Sequence, residues 1–161
     1  MSKMRKITIW IAPVLTFTTL FAADVGDLVK SGNDAFKQKQ YDQALEKYQL
    51  AETERPESPE LDYNIAGVLV NQQKYEEAIE RYNKALNTQD ATLQPSILYN
   101  LGNAYFKSGD YPNAITNYQK ALEADPNDLE AKFNLELARK MLKEQLKPES
   151  QDQNQQQQQQ Q

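Results

Sequence analysis

Residues Ser96 to Asp128 read SILYNLGNAYFKSGDYPNAITNYQKALEADPND. Leu98, Leu101 and Tyr105 recur at helical spacing, and so do Ala114, Tyr118 and Ala121. Gly109-Asp110 breaks the chain between the two sets, and Pro112 suits the first turn of the second helix. Asp125-Pro126-Asn127-Asp128 stops that helix and offers a cap for another. The stretch is therefore a helix-turn-helix pair. One such pair cannot bury its apolar face alone, so it calls for copies of itself.

Copies are present. Tyr41-x-x-Ala44-x-x-x-Tyr48-x-x-Ala51 is followed by Tyr75-x-x-Ala78-x-x-x-Tyr82-x-x-Ala85, then by Tyr111-x-x-Ala114-x-x-x-Tyr118-x-x-Ala121. The step from Ala44 to Ala78 is 34 residues, and from Ala78 to Ala114 it is 36. The period and residue types resemble the tetratricopeptide repeat (TPR) family. That family's pattern is matched in the third repeat by Leu98, Leu101, Gly102, Tyr105, Ala114, Tyr118, Ala121 and Pro126. The first repeat gives Leu28, Ser31, Gly32, Ala35, Ala44, Tyr48, Ala51 and Pro56 at the same places. The second gives Asp62, Ile65, Ala66, Leu69, Ala78, Tyr82, Ala85 and Asp90. Small residues let helices approach closely, and large ones fill the gaps. Asp62 is polar where the other repeats carry leucine. The linker from Asn87 to Gln94 has two extra residues, which predicts a local loosening.

The resemblance implies an all-α TPR helix-turn-helix solenoid of three repeats plus a C-terminal capping helix. The expected segments are 25–58, 59–94 and 95–128 for the repeats and 129–147 for the cap. In the cap, Asn134 and Leu135 keep the register of Asn100 and Leu101, while Arg139, Lys140 and Lys143 supply a polar outer face. Helices are expected near Val25–Gln38, Asp42–Glu54, Pro59–Asn71 and Tyr75–Leu86. Residues 148–161 form a Gln-rich tail with no apolar face to bury, expected to be disordered.

At the other end, Lys3, Arg5 and Lys6 precede an uncharged, mostly apolar run, Ile7 to Ala22. This has the outline of a secretory signal peptide spanning 1–22, cleaved near Ala23. An uncleaved inner-membrane anchor is the alternative. The run is shorter than the ~20 residues a spanning helix needs, and Pro13 interrupts it. The expected location is thus exported, periplasmic or envelope-associated.

Composition narrows the function. The 161 residues contain no Cys and no His, which removes thiol chemistry, the usual general base and the commonest transition-metal ligand. A net charge of −5 argues against nucleic acid as a partner. No nucleophile constellation, metal spacing or phosphate loop is present. No catalytic residue, cofactor or metal is therefore expected.

Surface remains. In TPR arrays the first helix of each repeat lines a concave groove. Along those helices Val29, Tyr63, Tyr99 and Phe133 fall at one equivalent place, and Lys30, Asn64, Asn100 and Asn134 at the next. Further on lie Asn33, Gly67, Asn103 and Leu137, then Phe36, Val70, Phe106 and Lys140. The candidate groove residues are Asn33, Phe36, Tyr63, Asn64, Tyr99, Asn100, Asn103, Phe106, Phe133 and Asn134. Asparagine can pair with the backbone of an extended peptide, and aromatics supply contact area at low entropic cost. Plain packing of Tyr63, Tyr99 and Phe133 between helices is the competing reading. The chaperone-binding TPR clamp needs cations where this chain has Val29, Ser96 and Asn100; only Asn33 and Asn64 match it.

The layout of signal segment, three repeats, AKFNLELARK and Gln-rich tail resembles the small TPR proteins of bacterial aerotolerance (Bat) operons. That resemblance implies membrane partners bearing von Willebrand factor A domains. The expected function is a non-catalytic adaptor or scaffold for protein–protein interaction. The alternative is a structural subunit of a permanent membrane-associated or self-associated assembly, with no free peptide ligand.

Overall fold

A computed structural model describes residues 24–147; the expectations for 1–22 and for the Gln-rich tail lie outside these residues. Seven helices follow one another among the described residues: α1 Val25–Lys37, α2 Tyr41–Glu54, α3 Pro59–Asn71, α4 Tyr75–Ala85, α5 Gln94–Ser108, α6 Tyr111–Ala124 and α7 Leu129–Gln145. None of them is long and apolar enough to cross a membrane. Each packs on the next, giving the pairs α1–α2, α3–α4 and α5–α6 with α7 laid against α6. In addition α5 touches both α3 and α7, whereas α2, α4 and α6 make no comparable contact with one another. The array therefore closes on the side of the odd-numbered helices.

The helix starts follow from polar side chains that take up free backbone N–H groups. Asp24, Ser58, Asp110 and Asp128 accept from Gly26, Leu61, Asn113 and Ala131. The turn inside each repeat has one geometry three times over. Lys39, Gln73 and Gly109 adopt φ of 60°, 62° and 85°. The next N–H donates back to Ala35, Leu69 and Tyr105, each at 2.9 Å. Only Gly109 takes this left-handed conformation without a Cβ penalty.

The core is built on the small-and-large pattern. Ala44, Ala51, Ala78, Ala85, Ala114 and Ala121 are buried, as are Tyr48, Tyr82 and Tyr118. A Cβ on Gly32 would lie 2.5 Å from the Tyr48 ring, and one on Gly102 would lie 2.7 Å from the Tyr118 ring. Those two glycines are packing positions that no larger residue can fill without displacement. Leu101 and Ile97 lie fully buried in the middle cluster beside Tyr82.

Three breaks in the repeat pattern have a physical account. Asp62 is buried, and Arg81 donates to it at 2.8 Å and also to Glu52, so one guanidinium joins α2, α3 and α4. The linker after α4 is irregular and mostly exposed. Its extra residues coil into turns held by Asp90, which accepts from the Thr92 amide and hydroxyl, while Leu86 and Leu93 pack into the middle cluster. The helix before it, α4, has 11 residues against 14 in α2 and α6. Finally, α7 buries Ala131, Leu135 and Ala138 as a cap should, but its exposed surface is not wholly polar: Leu129 and Phe133 are exposed, as is Leu146 just past its end.

Candidate functional site

The odd-numbered helices bring the predicted groove residues onto one wall. Asn33 and Phe36 sit on α1, Tyr63 and Asn64 on α3, Tyr99, Asn100, Asn103 and Phe106 on α5, and Phe133 and Asn134 on α7. All but Phe133 are half-buried. Their placement differs from a row of free side chains, because Tyr63, Tyr99, Asn100, Asn103 and Asn134 bond to one another across repeats.

The Asn100 amide donates to the Tyr63 hydroxyl at 2.9 Å, linking α5 to α3. Asn134 does the same one repeat later, donating to the Tyr99 hydroxyl and to Asn103 Oδ1, each at 3.1 Å. Within repeats, Tyr48 donates to Asn33 Oδ1 and Tyr118 to Asn103 Oδ1, both at 2.7 Å. Asn103 in turn approaches Asn100 Oδ1 at 3.5 Å. The rings also pair: Tyr63 packs edge-on against Tyr82 at 5.8 Å, and Tyr99 lies tilted over Tyr118 at 6.0 Å. Phe36 and Phe106 rest edge-on against Tyr41 and Tyr111. Much of the wall is thus an inter-repeat relay of Asn and Tyr.

Phe133 shows why the ring pairs form. Tyr63 and Tyr99 each meet the buried tyrosine of the outer helix of their own repeat. No outer helix follows α7 among the described residues, so the Phe133 ring has nothing to lie on and is 68% exposed.

The relay has one gap, in the second repeat, and it is made twice over. The helix place held by Asn33 and Asn103 is Gly67 in α3, so the Tyr82 hydroxyl has no asparagine to donate to. The place held by Tyr63 and Tyr99 is Val29 in α1, so Asn64 has no hydroxyl to bond. Neither the Tyr82 hydroxyl nor the Asn64 side chain has a hydrogen-bond partner among the described residues. Both line a cavity of about 290 Å³ with Phe36, Tyr63, Gly67 and Asn100. No charged side chain lines it. Gly67 and Tyr82 were not among the predicted groove residues. The signal was a lone Gly in a column otherwise read as Asn, Asn and Leu.

The tyrosines are held as neutral hydroxyls. Burial pushes Tyr48 up to about 12. Tyr82 and Tyr118 are raised further by burial and by the neighbouring Tyr63 and Tyr99. Burial also raises Tyr63, against the opposing hydrogen bond from Asn100. They act on this wall as hydrogen-bond donors and acceptors and not as acids. Among the described residues no group of three or more His, Cys, Asp or Glu is placed to hold a metal ion.

Family comparison agrees with this architecture. A family model described as tetratricopeptide repeat matches residues 95–128, and a second with the same description matches residues 35–94. Together they span more than half of the sequence. The chain belongs to the tetratricopeptide repeat family. Members of this family are in general non-enzymatic modules for protein–protein interaction.

Solved structures agree with the family assignment. The first TPR of Spaghetti (RPAP3), bound to the HSP90 peptide SRMEEVD, is 27% identical with a TM-score of 0.68 over 73% of this chain and 92% of that one. The Sgt2 TPR domain from Aspergillus fumigatus is 27% identical with a TM-score of 0.68, over 76% and 81% of the two chains. MamA, at 23% identity and a TM-score of 0.66 over 71% and 66%, shares the fold. No curated protein matches the chain in sequence.

Proposed function

We propose that this TPR protein is a non-catalytic, exported adaptor that holds a segment of a partner protein on the wall formed by α1, α3, α5 and α7. The observation that carries the reading is the character of that wall. It is a continuous run of amide and aromatic side chains across all four helices, with hydrogen-bonding capacity left open at Asn64 and Tyr82. Such a surface offers paired donors and acceptors for a peptide backbone and rigid rings for its side chains. RPAP3 is solved with an HSP90 peptide, and this wall would likewise take a peptide segment. It would not take a terminal double carboxylate, because the places that need cations hold Val29, Ser96 and Asn100.

Export rests on Lys3, Arg5 and Lys6 ahead of the apolar run 7–22. An envelope complex with membrane proteins bearing von Willebrand factor A domains rests on the resemblance to the aerotolerance-operon proteins. The second reading, a permanent structural subunit, is favoured by the exposed Leu129 and Phe133 on the last helix and Leu146 just past its end. Sedimentation would separate the two, because a permanent self-assembly persists at every accessible concentration.

The test of the adaptor reading is affinity capture from the native envelope fraction. Asn64→Lys with Phe133→Lys puts charge on the wall at two half-open or exposed places and removes no ring pair. The double variant should lose capture by at least tenfold, while Lys120→Ala, on the outer helix α6, captures as wild type. Equal capture by all three would show that this wall is not the binding face.

A further inference from the structure

We infer that the gap at Gly67 is a subsite for a neutral carboxamide side chain, Asn or Gln, presented by an extended segment of the partner. The inference rests on the adaptor reading above and names the chemistry that its groove selects.

The molecule itself supplies the template. In the first and third repeats an asparagine from the inner helix puts its Oδ1 2.7 Å from the hydroxyl of the buried tyrosine. In the second repeat the tyrosine is present, 3% exposed, and the asparagine is missing. The hydroxyl of Tyr82 meets the cavity with no acceptor. Asn64 lines the same cavity and has both an amide donor and an acceptor open, since Val29 offers no hydroxyl. A carboxamide entering the cavity can accept from Tyr82 through its oxygen and pair with Asn64 through its other positions. A carboxylate would enter a space without a cation and lose its hydration uncompensated. An apolar side chain would leave both polar groups unpaired.

Gly67 has no packing reason to be glycine. A Cβ there would meet the Tyr82 hydroxyl at 3.8 Å and the Phe36 ring at 3.9 Å, which is ordinary contact. Gly32 and Gly102 are different, since a Cβ on either would strike a tyrosine ring. Glycine inside a helix costs stability relative to alanine. Here that cost leaves an open space lined by unpaired polar groups.

The test is a chemical-shift titration of the full chain with an acetylated, amidated Ser-Ala-Gln-Ala-Ser peptide and its Glu and Leu counterparts. The Gln peptide should shift the Gly67 backbone amide and the Asn64 side-chain amide saturably, and the other two should bind at least tenfold more weakly. Gly67→Asn supplies the missing acceptor from within and should abolish the shifts while raising the melting temperature. Tyr82→Phe keeps the ring and should weaken the Gln peptide about tenfold. Equal binding of the three peptides, or unchanged binding by Gly67→Asn, would overturn the inference. If the peptide shifts the α5 and α7 wall but leaves Gly67 and Asn64 still, the adaptor reading stands and the subsite falls. If deleting residues 151–161 by itself moves the Gly67 resonance, the occupant is the chain's own Gln-rich segment, and the assignment to a partner is overturned.

Discussion

The hydroxyl of Tyr118 donates to Asn103 Oδ1 at 2.7 Å. Tyr48 and Asn33 repeat the bond at the same length in the first repeat. Each of these tyrosines also packs its ring on a glycine, Gly102 or Gly32, of the same inner helix. One side chain therefore joins the two helices of a repeat by close packing at the ring and by a hydrogen bond at the tip. A tyrosine in this role must stay protonated, so the array should lose stability at alkaline pH.

Burial holds Tyr48 at about 12 and raises Tyr82 and Tyr118 as well. In the unfolded chain each returns to about 10. Below that value both states keep the proton, and the stabilisation is fully present. Above it the unfolded state loses protons that the folded state keeps, so stability falls as pH rises through the window between the two values. Each buried tyrosine should contribute a slope of roughly 1.4 kcal/mol per pH unit there. Denaturant midpoints should be level from pH 7 to 9 and drop steeply from pH 10 to 12. Tyr48→Phe should make that drop shallower; an unchanged slope would mean that Tyr48 titrates normally in the fold.

The turns within repeats give a second expectation. Lys39 and Gln73 hold the left-handed conformation that Gly109 holds freely. Their backbone N–H groups already donate to Phe36 and Val70, so the turn geometry is set by the hydrogen bonds and not by the side chain. Lys39→Gly and Gln73→Gly should each stabilise by about 0.5–1 kcal/mol, the relief of the Cβ strain less the added chain entropy of glycine. Gly109→Lys should destabilise by a similar amount. Thermal melts of the three variants check the sign; a loss of stability in both glycine variants would show that unfolded-chain entropy dominates.

Much of this fold could be read from the chain. Ala44, Ala78 and Ala114 declare the repeat, and Pro59, Gly109 and Pro112 mark helix boundaries, because those residues act through local backbone chemistry. The relay on the inner wall was not legible in the same way. Asn100 presents the same donor and acceptor to a ligand as to Tyr63, which lies 37 residues away along the chain. The column pattern placed the side chains on one wall but could not say what each would face. The role of Asp62 was hidden for the same reason. Its partner Arg81 lies on another helix, so sequence showed only the breach of the apolar pattern.

That breach yields a third expectation. Removing Arg81 leaves Asp62 buried without its cation, and Arg81→Met should cost ~1–3 kcal/mol, less than a fully buried pair because the arginine keeps some contact with water. Asp62 stands where Leu28 and Leu98 stand in the other repeats. Asp62→Leu combined with Arg81→Met should therefore recover most of the loss by restoring an apolar contact. A double variant no better than Arg81→Met would show that the ion pair fixes the α2–α3–α4 arrangement in a way that packing cannot replace. Urea unfolding of the single and double variants gives the comparison.

The last expectation sets two glycines of equivalent helices against each other. Gly102 sits beneath Tyr118, and an added Cβ would lie 2.7 Å from the ring. The ring is buried and bonded at its tip to Asn103, so it cannot swing aside cheaply. Gly102→Ala should therefore cost ~1–3 kcal/mol, the usual range for overpacking. Gly67 has room for a Cβ, which would meet its nearest neighbour in ordinary contact at 3.8 Å. Gly67→Ala should stabilise by about 0.5–1 kcal/mol through helix propensity alone. The substitution is chemically the same in both cases, and only the surroundings differ in sign. Paired unfolding measurements decide it. Destabilisation at Gly67 would mean that the backbone there is needed against Tyr82 or Phe36, and that the space beside it is not a vacancy in the relay.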